Sequence, residues 1–372
     1  MEIKKEIPFF NYAALFKRQK SEIMNCIEDV MKRGAYILQK DLYEFEAELK
    51  KYIGVKYAYG VAGGTNALIL ALRAAGIGKN DEVILPSHTY IATAASVHFA
   101  GAIPVLAECG LDHLLDSEDI KHRINKKTKA IIPVQLNGRI CYMDIITKIA
   151  EENGLLVIED AAQALGSRYN GKYAATFGVA GTFSFYPAKL LGCFGDGGAV
   201  VTNDDRIGEK LFLLRDHGRN QNGEVVAWRT NCQLDNIQAA ILKLKFKTFD
   251  IEIQRRHEIA CKYQDALSDI DDLSLPIGPK ENSKNFDVYQ NYDIEAGRKD
   301  ELREFLNERG IRTIIQWGGK AIHHFKNLGF DNVYLPKTDE IFKKCFLLPM
   351  HTALSDDDVD YICDIIREFY NR

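Results

Sequence analysis

The 372-residue chain lacks any apolar run approaching the about 20 residues needed to cross a bilayer, so no membrane-spanning helix is expected. It lacks a charge surplus as well: 48 basic against 52 acidic residues leave a net charge of −4, which gives no electrostatic case for binding nucleic acid or an anionic membrane. Its eight cysteines (26, 109, 141, 193, 232, 261, 345 and 363) form no C-x-x-C pair and have no histidine at zinc-ligand spacing. Neither a metal centre nor a disulfide framework is therefore expected, only free, mostly structural thiols. The N-terminus, MEIKKEIPFFNYAALFKRQ, has charges on both sides of a short apolar patch and no signal-peptide core. These absences point to a cytoplasmic protein whose partners must be argued from a site.

Hydrophobic residues make up 46% and charged residues 27% of the chain, enough apolar material for a large core and a second, smaller domain. From about residue 18 to 50, apolar residues recur at three- and four-residue steps and predict two amphipathic helices ending near Gly34 and at Gly54. Short β-branched runs then alternate with helical stretches: KYAYGVAGG, DEVILPS, AIPVLAE, KAIIPVQL, GLLVIED, GTFSFYP and GAVVTN. These runs do not alternate polar with apolar residues, as expected for parallel strands buried on both faces. The prediction is an α/β fold, a three-layer α/β/α domain around a mostly parallel mixed sheet. A single long helix is predicted across residues 236–270, followed by a smaller α+β domain. The large domain is placed at residues 1–245, and the connecting helix and C-terminal domain at 246–372.

In open α/β sheets, ligands sit at the carboxyl ends of strands. After YAYGV stands AGGTNAL, whose turn offers backbone N–H groups and a helix dipole to a phosphate, or is a plain helix start. After DEVILPS stands Tyr90, which could cover a planar ring or sit in a core. Glu159 and Asp160 end another strand and must point in opposite directions; the inward one should need a cation, unless Asp160 is simply a helix cap. Ser184 and Lys189 follow GTFSFYP, and a buried lysine is costly unless it is paired, neutral or covalently used. Pyridoxal 5′-phosphate requires a lysine for a Schiff base, a carboxylate for its pyridine nitrogen, a phosphate cup and a flat residue on the ring. Lys189, Asp160, the Gly63–Thr65 turn with Ser184, and Tyr90 match those four needs.

The segments GGTNALILAL, DEVILPSHTYIATAASV, VIEDAAQALGS, GTFSFYPAKLLGCFGDGGAVVTNDD and NCQLDNIQAAIL occur in this order. Through them the chain resembles, over nearly its full length, the sugar aminotransferases of the DegT/DnrJ/EryC1/StrS family, of pyridoxal-phosphate fold type I. The resemblance implies that Lys189 forms the Schiff base, Asp160 holds the pyridine nitrogen and Gln163 bonds the ring hydroxyl. It implies phosphate binding by Gly64, Thr65 and Ser184, stacking by Tyr90, and a contact from Asn231 to the phosphate of a second subunit, hence a homodimer with shared sites. The implied reaction moves an amino group from L-glutamate, leaving 2-oxoglutarate, to a nucleotide-linked keto sugar. It would serve amino-sugar, lipopolysaccharide or glycan biosynthesis.

The run FYPAKLLGCFGDGG, with Asp196, resembles the branch acting at the C-3 ketone of UDP- or dTDP-sugars; C-4 amination and a non-catalytic regulatory homologue are the alternatives. An intact Lys189 speaks against a sugar dehydratase. No cysteine has the mobile-loop setting that a desulfurase needs. Tyr186, His217, Arg219, His323 and His324 are the candidate contacts to nucleotide or sugar. Gln39, Gln135, Asn137 and Gln233 depart from the family pattern and, on this reading, lie in loops lining the substrate cleft.

Overall fold

The structure is a computed structural model that describes residues 5–280 and 284–371. Its strands in chain order are β1 (Tyr57–Val61), β2 (Glu82–Pro86), β3 (Ile103–Ala107), β4 (Thr128–Ile131), β5 (Leu156–Asp160), β6 (Arg168–Tyr169), β7 (Lys172–Tyr173), β8 (Ala180–Ser184) and β9 (Gly198–Thr202), then β10 (Leu273–Ser274), β11 (Asn285–Phe286), β12 (Tyr292–Ala296) and β13 (Cys345–Leu348). Seven form one sheet in the order β1-β9-β8-β5-β4-β2-β3. β3, β2, β4, β5 and β8 are parallel, β9 turns back along β8, and β1 turns again along β9. β1 thus runs in the direction of β8, so both end on the edge where β2 and β5 end. One face of the sheet packs on Phe45, Ile146 and Phe183, the other on Leu70, Val97 and Leu211. Burial on both faces is the reason the strands show no alternation.

The two N-terminal helices, Tyr12–Arg33 and Lys40–Ile53, end at Gly34 and Gly54, both left-handed, where a residue with a Cβ would be strained. The first begins earlier than its apolar pattern suggests, because Asn11 accepts a hydrogen bond from Ala14 N and caps it. The single helix predicted across 236–270 is two helices, Asn236–Phe246 and Phe249–Leu267, separated at Thr248 (φ −110°, ψ 10°). The break redirects the chain. Leu242 packs in the large core, whereas Ile259, Tyr263 and Leu267 pack in a second core. Phe246 and Phe249 both pack on Tyr52, so the helical spacing persists across a bend that it cannot reveal.

The second core surrounds the antiparallel sheet β10-β12-β13 and includes Tyr292, Leu302, Phe346 and Ile362. Ile7 belongs to it as well: its N–H donates to Gly310 O (2.8 Å) and its carbonyl accepts from Arg312 N (3.0 Å). The first described residues are therefore built into the smaller body, although chain order assigned them to the larger one. Among the described residues no helix is long and apolar enough to cross a membrane. Six of the eight cysteines are buried, and burial pushes the thiols of Cys109 and Cys345 up to about 12, which makes them poor nucleophiles.

One ion-pair cluster fastens the two bodies together. His113, in the loop after β3, places Nδ1 2.8 Å from Asp293 and Nε2 2.9 Å from Glu295, both on β12. Burial alone would lower this imidazole's pKa; its hydrogen bonds to the two carboxylates reverse the effect and hold it at about 9, against an ordinary 6.5. The neighbouring His88 ring, 5.4 Å away, is pushed by burial to about 3 and stays neutral. A group raised on folding contributes stability that is complete below about 6.5 and lost as the pH climbs through about 9. His113→Gln leaves two half-buried carboxylates without a cation and is expected to cost about 3 kcal/mol at neutral pH. Urea midpoints measured across that window should fall for the wild type and stay nearly level for the variant.

Candidate active site

The carboxyl ends of β1, β2, β5 and β8 open into a cleft of about 560 Å³. Gly64, Thr65, Tyr90, Asp160, Gln163, Ser184, Tyr186 and Lys189 all wall it, although they come from four separate stretches of the chain. Gly63 caps the helix Gly64–Ala74, whose first N–H groups face the cleft without intrahelical partners. The backbone there is tightly seated. A Cβ on Gly64 would lie 2.9 Å from Ser184 Cβ, and one on Gly198 would lie 2.6 Å from the Gly63 carbonyl carbon. Close approach of two backbones is what these glycines supply.

Glu159 and Asp160 point in opposite directions, as the pleat requires, yet both are buried and neither is hydrogen-bonded to a cation. For Glu159 the expected cationic partner is replaced by neutral donors. Glu159 Oε2 accepts from Gln135 Nε2 (2.8 Å) and Ala175 N (2.9 Å), and Oε1 from Phe177 N (2.6 Å) and Gly178 N (3.1 Å). Four donors on one carboxylate stand in for an ion. Asp160 Oδ1 accepts from Ala162 N (3.1 Å), and Oδ2 from Thr93 Oγ1 (2.8 Å). That bond uses the only proton of Thr93, so Thr89, 2.8 Å away, donates to Thr93. Burial raises the Asp160 pKa, while Thr93, Ala162 and the charge of Lys189 pull it down.

Lys189 closes a turn in which its N–H donates to Tyr186 O (2.8 Å). Burial lowers its amine to about 8 against the opposing charge of Asp160. Gln163 Oε1 accepts from Asn137 N (2.8 Å), so its Nε2 is left as the donor for the cleft. Asn137 is left-handed (φ 56°), and its Oδ1 accepts from Asn291 Nδ2 and Gln316 Nε2, each at 2.7 Å. Gln135 and Asn137 were expected to line the cleft but are buried behind it, the first bracing Glu159 and the second Gln163. Gln39 precedes a helix, and Gln233 donates to Asp216 (2.6 Å). Neither is among the residues walling the cleft.

Of the five proposed substrate contacts, only Tyr186 walls the cleft. Both Nε2 atoms of His323 and His324 lie against Asp339 Oδ1, at 3.0 and 2.6 Å. Among the described residues these three form one group with metal-ligating atoms close together. Ala321 N–H, however, donates to His324 Nδ1 (3.1 Å), which puts the neutral ring's proton on Nε2, where Asp339 takes it. Hydrogen bonds thus occupy the group without a cation, and it stands away from the cleft. His217 and Arg219 sit with Asn231 on a hairpin bridged at Asp216 and Asn231. His217 (φ 48°) and Gly218 (φ 72°) turn that hairpin outward, and none of the three walls the cleft of its own chain. The hairpin also carries Val225, Val226 and Trp228, all exposed, the last at 97%.

Sequence reasoning missed Trp317, whose left-handed backbone (φ 51°) delivers it from the smaller domain to the cleft wall, its ring 5.3 Å from that of His88. No motif marks it. Asp196 walls the cleft too and is exposed to it.

The donor set fits pyridoxal phosphate: a glycine-backed helix N-terminus with Ser184 for the phosphate, Asp160 for a ring cation, Gln163 Nε2 for a ring oxygen, and Lys189 for an aldehyde. The protein also resembles known ones throughout. A Geobacillus stearothermophilus chain named "Pleiotropic regulatory protein" is 37% identical, covering 98% of this chain and 99% of that one. The dTDP-3-amino-3,4,6-trideoxy-alpha-D-glucose transaminase of Streptomyces venezuelae is 36% identical, covering 98% and 97%. The crystal structure of S. venezuelae DesV superposes with a TM-score of 0.94 at 36% identity, covering 99% of this chain and all of that one. The family model described as DegT/DnrJ/EryC1/StrS aminotransferase matches residues 17–367. With its cleft equipped in this way, the chain belongs to that family and is a pyridoxal-phosphate-dependent aminotransferase.

Proposed function

We propose that this cytoplasmic enzyme transfers an amino group from L-glutamate to the C-3 ketone of a UDP- or dTDP-linked sugar. The observation that carries the reading is the gathering of Lys189, Asp160, Gln163, Tyr90 and the Gly64–Thr65 turn around one cleft, with Tyr186 and Asp196 on its wall. The bound cofactor supplies an aldehyde to carry the amino group and a ring to accept an electron pair. With its pKa near 8, Lys189 is unprotonated often enough at neutral pH to act as nucleophile and base. With the cofactor bound, Lys189 Nζ would take up and return the proton at the amino donor's α-carbon. Asp160, held in place by Thr93, keeps a cationic ring nitrogen favourable, and Tyr90 covers one ring face.

Among the residues walling the cleft, Lys189 is the one cation. A nucleotide diphosphate needs more. The hairpin 216–231 offers His217, Arg219, Arg229 and Asn231 beside an exposed apolar patch, which supports a homodimer in which each hairpin completes the partner's cleft. The C-3 assignment rests on the FYPAKLLGCFGDGG run; amination at C-4 is the alternative. A regulatory role has the name of the Geobacillus relative in its favour and the intact Lys189 and Asp160 against it.

Lys189→Ala is expected to abolish borohydride-fixable cofactor and to lower glutamate-dependent 2-oxoglutarate formation by at least about a thousandfold. Retained turnover would sink the reading, and a wild type that forms no 2-oxoglutarate with any keto sugar would favour the regulatory one. Incubation with keto sugars generated in situ from UDP- and dTDP-sugars should give a product whose mass names the sugar and whose NMR spectrum names the carbon. Asn231→Asp, which sets a carboxylate where a phosphate is proposed, should be nearly inactive alone. Mixed and reassembled with Lys189→Ala, it should recover about a quarter of wild-type activity, because half the dimers then hold one intact site.

A further inference from the structure

The smaller domain reaches the lysine loop through one side chain. Gln290, buried just before β12, places its carboxamide against the backbone around Lys189: Oε1 accepts from Leu190 N (2.7 Å) and Nε2 donates to Ala188 O (2.8 Å). An amide group thus pairs with the chain on both sides of the lysine, as a strand neighbour would. Lys189 lies outside regular structure, two residues beyond a proline and three before Gly192, so its own loop offers little else to fix it. Gln290 is itself held. Tyr289 is left-handed (φ 47°), and the buried Arg256 donates one guanidinium nitrogen to the carbonyls of Tyr289 (2.8 Å), Gln290 (3.0 Å) and Met350 (2.9 Å). A fixed backbone therefore presents a fixed amide.

We propose that Gln290 is a positioning residue for Lys189, a clamp from the smaller domain whose two hydrogen bonds set the direction in which Nζ enters the cleft. This rests on the assignment of Lys189 as the lysine that condenses with the cofactor, a step in which the amine and the aldehyde form C=N and release one water. Gln290 touches neither cofactor nor substrate on this reading. Its loss should leave the phosphate and ring contacts in place while misdirecting the amine.

The test uses the full-length protein freed of cofactor. With Gln290→Leu, attachment of pyridoxal phosphate to Lys189, followed by absorbance and by borohydride-fixed label on that residue, should slow by at least about tenfold. Affinity for pyridoxamine phosphate, which has no aldehyde, should stay within about threefold, a split that general loss of structure would not give. A second readout needs no cofactor: acetic anhydride labelling of Lys189 across pH should titrate near 8 in the wild type and move toward 10.5 in the variant as the amine swings into water. If Gln290→Leu does not fold, Gln290→Glu keeps the acceptor for Leu190 and loses the donor to Ala188, and carries the same expectations in the same direction. The clamp is overturned by unchanged attachment and labelling in a folded variant, or by pyridoxamine phosphate affinity falling in step with attachment. If the labelling shift occurs while the wild type never attaches the cofactor, the clamp stands and the assignment of Lys189 fails.

Discussion

A half-buried amine beside a carboxylate is the constraint around which this protein is arranged. Lys189 must be near enough to Asp160 for both to face one ring, and buried enough for its amine to lose its proton near neutral pH. Those demands oppose each other, since burial lowers the lysine to about 8 while the carboxylate's charge works to raise it. The parallel sheet resolves this geometrically. β5 and β8 are adjacent, so Asp160 at the end of one and the lysine loop after the other reach the same space without a contact ion pair. A direct bond between them would hold the amine protonated and remove its chemistry.

The same economy of charge recurs one residue away. Glu159 takes three backbone N–H groups and one carboxamide rather than an arginine. A buried cation behind the sheet would add its field to that of Lys189 and pull the Asp160 pKa down against the burial that raises it. Neutral donors hold the carboxylate and bring no net charge, and they also tie the loop 175–178 to the strand that carries Asp160.

Much of this was legible in the sequence, for reasons that differ by element. The strands could be read because burial on both faces leaves unbroken β-branched runs, and Gly34 and Gly54 could be read because left-handed helix ends favour glycine. Lys189, Asp160 and Gly64–Thr65 could be read because the requirement for each is local: a strand end, a helix start, a lysine that burial makes costly. What could not be read depends on partners far along the chain. Gln290 lies about a hundred residues from the loop it grips, and Trp317 reaches the cleft from the opposite domain through a strained turn with no sequence mark. Gln135 and Asn137 looked like cleft residues because they depart from the family pattern in loops taken to line the cleft. A residue's place in a loop says that it is near the site, not which side of the wall it faces. The helix break at Thr248 was hidden because Phe246 and Phe249 keep helical spacing while the chain changes cores.

The segment Tyr289–Glu295 joins these themes. Gln290 grips the lysine loop, Asn291 holds Asn137 and through it Gln163, and Asp293 and Glu295 hold His113 of the larger domain. Seven residues thus connect two cleft-lining side chains with the ion cluster that docks the domains, and Arg256 pins the carbonyls at their start. The cleft cannot be complete in the larger domain alone, although nearly all the expected chemistry lies there. Alkaline loss of the proton on His113 would remove the charge that binds β12 to the larger domain, and Gln290 and Asn291 immediately precede that strand.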